Sequence, residues 1–220
     1  MKKNYMMIFI SIMILFAVTT VAAKDWGVTL GGAYWKPDWD RGSTEGTTDG
    51  LLGPTASLRY KNVILSVQYY SGEFDIEDTF TADRTDLDLA VSYRLFNYYF
   101  ATVGYKSVEF DWEAGYALDA SITGYAVGFG GSYTSPSGFL FYGAGSYLPQ
   151  MDYEWNFGGI KETYDTTGYT FEAGTGYVFR PAHMMLKLGY RYQKFNVDDE
   201  EGLTLDENNS GLKGEISFFF

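Results

Sequence analysis

The chain has no cysteine, so disulfides and thiolate metal sites are both excluded. It has one histidine, His183, and only five prolines. Basic residues are few: 16 against 28 acidic ones. Setting aside Lys2 and Lys3 in the N-terminal segment leaves 14 against 28, a formal charge of −14. Nucleic acid is therefore not an expected partner, because phosphate binding needs basic patches. After residue 23 no apolar run approaches the ~20 residues of a membrane-spanning helix, and the mean hydropathy is −0.17. No repeat beyond a hairpin rhythm is visible and no linker divides the chain, so it reads as one domain.

Aromatics and glycine are plentiful, with 20 Tyr, 17 Phe and 26 Gly. Few apolar runs, many aromatics and much glycine fit a barrel whose strands alternate in and out between two aromatic girdles. A soluble lipocalin-like barrel has a similar composition and is the structural rival.

Residues 1–23 read as a secretory signal peptide. Lys2 and Lys3 make its positive start, Met6 to Val18 its apolar stretch, and Val21-Ala22-Ala23 supplies small residues for cleavage. The barrel domain is then 24–220.

Strands follow from parity, since successive side chains on a strand point to opposite faces. Thr85, Leu87, Leu89, Val91, Tyr93 and Leu95 alternate with Asp86, Asp88, Ala90, Ser92 and Arg94. Leu186, Leu188, Tyr190 and Tyr192 alternate with Lys187, Gly189, Arg191 and Gln193. Ten such stretches span Trp26 to Phe220, each of about the 9–11 residues a tilted membrane strand needs. On the seventh, Leu140, Tyr142 and Ala144 are expected outward. Connections of two kinds alternate. Short ones lie at Lys61-Asn62, Phe96 to Tyr98, Thr134 to Gly138 and Arg180 to His183. Long ones lie at Lys36 to Gly50, Ser71 to Arg84, Asp111 to Asp119, Pro149 to Gly168 and Asn196 to Gly211. Short turns at one end and long loops at the other is the habit of outer-membrane barrels. The expected fold is all-β: an antiparallel up-and-down transmembrane β-barrel of ten strands, with eight as the alternative, short periplasmic turns and five surface loops.

Symmetric turns also predict register. Glu172 then faces Arg191, Asp88 faces Lys106, and Glu215 reaches Lys187, all on inward parity. Opposite charges across a ladder attract. These pairs either fill and satisfy the lumen or line a conducting or ligand-binding route. Gly124, Gly128, Gly174, Gly176 and Gly189 reserve space beside the long side chains.

Leu212, Ile216, Phe218 and Phe220 alternate with Lys213, Glu215 and Ser217 up to the final Phe220. This stretch resembles the last strand of bacterial outer-membrane barrels. The resemblance implies that Ile216, Phe218 and Phe220 are read as a membrane-insertion signal by the barrel-insertion machinery. The pattern as a whole resembles the small opacity and outer membrane protein A-like barrels, which implies a lumen blocked by charged networks. Outer-membrane lipid and lipopolysaccharide, the insertion machinery and an extracellular partner of unknown kind are then the expected partners, with no cofactor. Enzymatic members of the wider class depend on a histidine near the membrane surface. His183 lies in a predicted periplasmic turn without a Ser or Asp neighbour, so no catalytic residue and no enzyme are expected.

The long connections are acidic. Asp198, Asp199, Glu200 and Glu201 are weak candidates for a divalent-cation site, since clustered carboxylates suit hard cations. A solvated, repulsive surface is the plainer reading, and no metal site is assigned. Trp39, Trp112 and Trp155 sit among these acids, as interface anchors or as a binding surface. The expected function is a non-enzymatic structural or surface-interaction barrel with a largely plugged lumen. A narrow porin-like channel and a soluble periplasmic ligand carrier are the alternatives.

Overall fold

The computed structural model describes residues 25–42, 44–76, 80–113, 117–198 and 204–220. Its strands are β1 (Trp26–Arg41), β2 (Thr44–Thr47), β3 (Leu51–Tyr60), β4 (Val63–Ile76), β5 (Phe80–Arg94) and β6 (Tyr99–Glu113). They continue as β7 (Ala117–Thr134), β8 (Phe139–Phe157), β9 (Ile160–Phe179), β10 (Met184–Asp198) and β11 (Thr204–Phe219). Each pairs antiparallel with its neighbours, and β11 returns to β1 from Phe219 opposite Thr29 to Glu207 opposite Arg41. Among the described residues closure leaves no strand of the sheet at a free edge. Both β2 and β3 lie between β1 and β4, so they are two pieces of one barrel strand interrupted at 48–50. The barrel therefore has the ten strands expected, not eight.

The two ends differ, though not as expected. At one end the connections are tight: Lys61-Asn62 with Lys61 at φ 53°, Phe96 to Tyr98, Ser135 to Gly138, and a single 3-10 turn at Arg180–Ala182. At the other end the strands run on where long loops are expected. β7, β8 and β9 are 18, 19 and 20 residues long, about twice what a span needs. The stretch Pro149 to Gly168 is mostly strand. It turns at Gly158-Gly159, where both residues have positive φ and only glycine is at ease.

The reason lies in a change of face. Near the short-turn end the apolar residues point out: Leu188 is 59 % exposed, and Tyr190, Val103, Val127 and Leu65 are also exposed. Beyond a ring of tyrosines that includes Tyr34, Tyr125, Tyr147, Tyr169 and Tyr190, the polarity of the two faces inverts. Phe195, Val197, Val108, Phe110 and Ile122 turn inward and are buried. Acids such as Asp38, Glu73, Asp111 and Asp152 take the outside. The lower half is thus apolar outside, as lipid requires. The upper half is apolar inside, as water requires. On β8 a bulge between Leu148 and Met151, around Pro149, makes the switch. It carries the odd-numbered residues from outside (Phe139, Phe141, Tyr147) to inside (Met151, Tyr153), as one extra residue in a strand must.

Two expectations are corrected here. Leu140, Tyr142 and Ala144 face inward, not outward, and Phe139 and Phe141 face lipid. Both parities of this strand are apolar, so alternation offered no choice. Trp39 is buried in the upper core and Trp112 packs against it, so neither anchors at an interface. Trp155 alone of the three stays exposed. Ile216 and Phe218 lie on the outward face of β11, and Phe220, one residue beyond it, is also exposed.

Candidate functional site

The ladders set the charged residues at mid-height. Asp88 on β5 stands opposite Lys106 on β6, and Arg191 on β10 stands opposite Glu172 on β9. Lys187 faces Glu215 on β11. Two of these are direct ion pairs, with Lys106 Nζ 2.7 Å from Asp88 Oδ1 and Lys187 Nζ 2.9 Å from Glu215 Oε1. Arg191 does not bond to its ladder neighbour. It crosses the lumen and donates to the second oxygen of Asp88. Glu172 instead accepts from Lys213 Nζ at 2.7 Å, and Lys213 also donates to Gln68 at 3.1 Å. Gln193, with its carbonyl turned toward the cations, accepts from Lys106 at 2.9 Å and Arg191 Nε at 3.0 Å. Small residues make room for this layer. A side chain at Gly189 would meet the Tyr142 hydroxyl at 2.4 Å, so Tyr142 occupies the space that the glycine leaves.

Above the ion pairs the lumen is filled. Arg84 is wholly buried, with Nε 2.7 Å from Asp86 Oδ1, and it also donates to Asn209. Its guanidinium lies 5.6, 5.4 and 5.0 Å from the ring centroids of Trp35, Phe74 and Phe110. Arg191 sits 5.0 Å from the Trp35 ring on the level below. A guanidinium is planar and weakly hydrated, so it stacks on aromatic faces at the cost of little lost hydration. Around it Trp35, Leu51, Tyr70 and Phe74 form one buried cluster, and Val108, Phe110, Ile122, Leu148 and Phe195 form another. Trp112 packs against both. Each such side chain contributes roughly 1.5–3 kcal/mol of burial. Higher still, Arg41 donates to the Tyr153 hydroxyl at 2.6 Å. Burial holds the Tyr153 phenol above its usual pKa, against the pull of Arg41.

Below the ion pairs lies a cavity of about 410 Å³ in the short-turn half. Asp88, Glu172, Lys187, Tyr142, Ser66 and Thr102 are among the residues that line it.

Arg84, Asp86, Lys213, Gln68, Gln193 and Asn209 complete the network without having been singled out from sequence. Inward parity was the available signal for Gln68, Asp86, Gln193 and Lys213, whereas Arg84 and Asn209 fell in stretches read as long connections. His183 sits at the short-turn end with φ 51°, its Nδ1 3.2 Å from the Phe219 carbonyl. Asp198 ends β10, while Asp199, Glu200 and Glu201 lie outside the described residues. Among the described residues no group of three His, Asp or Glu side chains could hold a metal.

No protein-family model and no curated protein matches the chain. Among solved structures it is similar to the outer membrane protease OmpT from Escherichia coli. The TM-score is 0.61 at 10 % identity, over 90 % of this chain and 98 % of that one. The chain has the fold of a bacterial outer-membrane β-barrel. Neisserial surface protein A also matches, with a TM-score of 0.46 at 12 % identity over 89 % and 97 % of the two chains. So does Ail, the attachment invasion locus protein of Yersinia pestis, with a TM-score of 0.41 at 14 % identity over 88 % and 97 %. At these identities the likeness is one of fold, and the roles in those names stay with those proteins.

Proposed function

We propose that this barrel spans the outer membrane, does not conduct, and works through the acidic barrel wall that it raises outside the cell. The short turns face the periplasm in this reading and the tall strands face outward. The observation that carries it is the filled lumen: Trp35, Leu51, Tyr70, Phe74 and Arg84 are all fully buried inside the wall. The outer wall carries Asp38, Asp40, Glu73, Asp111, Asp152 and Glu154, which favours a cationic partner. Non-enzymatic action fits the histidine, because His183 lies at the end opposite that wall. General-base chemistry near neutral pH favours histidine.

Planar-bilayer recording of the refolded protein tests the closed lumen. Folded, inserted protein is expected to show no steady openings. Reproducible steps whose cation selectivity falls in Asp88→Asn or Glu172→Gln would make it a pore instead.

The role of the last strand has its own test. Ile216, Phe218 and Phe220 face lipid and are the residues proposed to be read by the insertion machinery. Phe218→Ser combined with removal of Phe220 is expected to cut the heat-modifiable protein recovered from outer membranes several-fold, while refolding into detergent still succeeds. Equal recovery in cells would discard the signal.

A further inference from the structure

The cavity below the plug is lined by hydroxyls on facing walls, with Thr55, Ser57 and Ser66 on one side and Ser146 and Thr170 on the other. Its size is in the range of small-ligand sites. The charges that line it are not equally open. Lys106, Arg191 and Glu215 side chains are 3 %, 6 % and 6 % exposed, whereas Asp88, Glu172 and Lys187 are 25 %, 22 % and 22 %.

Those three open groups have bonding capacity to spare. A carboxylate offers about four acceptor sites. Asp88 uses two, on Lys106 and Arg191. Glu172 accepts from Lys213. The Lys187 ammonium has three donors and gives one to Glu215. The lining carries Asp88, Glu172 and Glu215 against Lys106, Lys187 and Arg191, so it is balanced. A ligand of net charge would upset that balance among partly desolvated charges, and a dipolar one would not.

We propose that this chamber binds a small zwitterion of the amino acid or short-peptide class. Its ammonium sits against Asp88 and Glu172, and its carboxylate sits on Lys187. The hydroxyl walls serve the peptide groups between them. That the chamber opens to the periplasm rests on the orientation given above; the binding itself does not.

The chain has no cysteine, so Ser66→Cys places a unique thiol on the chamber wall. In the full mature protein, refolded in detergent, triglycine is expected to slow modification of that thiol by a small neutral reagent. Acetate or methylammonium alone is expected to leave the rate unchanged. Adding Lys187→Met should weaken protection roughly tenfold to a hundredfold, the worth of a hydrogen bond to a charged group. Calorimetric titration of the unmodified protein with triglycine gives the same affinity without the introduced thiol. Absence of both protection and heat in protein shown folded by its gel migration overturns the proposal. Equal protection by acetate also overturns it, reducing the chamber to a simple anion site. Either failure leaves the silent bilayer recording untouched, so the two readings fall separately.

Discussion

Arg84→Ala is expected to lower the stability of the refolded barrel by about 3–5 kcal/mol, the usual cost of removing one partner from a buried ion pair. The side chain is wholly buried in the upper core and so is its partner Asp86. Lys106 Nζ lies 3.8 Å from that carboxylate but is already committed to Asp88 at 2.7 Å. Truncation would therefore leave the buried Asp86 without its main partner and open a cavity where the guanidinium lay against Trp35, Phe74 and Phe110. Guanidinium-induced unfolding followed by tryptophan fluorescence and gel migration reads the loss. Replacing both members, as Arg84→Met with Asp86→Leu, should recover most of it, because no charge is left unpaired. Lys194→Ala is the control. Lys194 pairs with Asp206 at 2.6 Å on the outer wall, where Asp206 is 44 % exposed, and such pairs contribute about 0–1 kcal/mol. If Arg84→Ala unfolds at the same denaturant concentration as Lys194→Ala, the buried pair does not hold the plug.

The second large effect concerns the seam that closes the barrel. A Cβ added at Gly211 would lie 1.8 Å from the Lys36 carbonyl oxygen, a backbone atom that cannot swing away. A Cβ added at Gly214, three residues along the same strand, would meet nothing within 4 Å. Gly211 faces Pro37 and Gly214 faces Tyr34 across the same β1–β11 ladder. Gly211→Ala must push the two strands apart or break their register. Because this pairing converts an open sheet into a barrel, most molecules are expected to lose the compact, fast-migrating form. Gly214→Ala is expected to match the unmodified protein. Refolding yield on an unheated gel decides the matter, and equal yields for the two variants would contradict the geometry.

Much of this wall could be read before the structure was seen. A period of two is the same in water and in lipid, so Leu186, Leu188 and Tyr190 declared their strand and its faces. Symmetric turns placed Arg191 opposite Glu172 and Asp88 opposite Lys106. The upper half was hidden because its alternation is reversed. Where Tyr190 points out and Phe195 points in, a reader following one face sees the pattern stop, and the strand looks like a loop. The bulge at Pro149 hid the same change on β8. Bonds across the lumen were hidden for another reason. Arg191 and Asp88 are 103 residues apart and Lys213 and Glu172 are 41 apart, on strands that share no ladder. Turn symmetry relates only neighbours, so it names the residue opposite and not the one a long side chain reaches.

A barrel stoppered by a folded loop or an inserted domain leaks when that piece is exchanged. Here the stopper is made of Trp35, Phe74, Arg84 and Phe110, which belong to the staves themselves. In the proposed reading, closing the lumen and presenting a surface thus fall to different residues. The tip at Gly158-Gly159 has open space around both glycines. It should accept foreign peptide without any change in the permeability of the envelope, so variation at the rim carries no osmotic penalty.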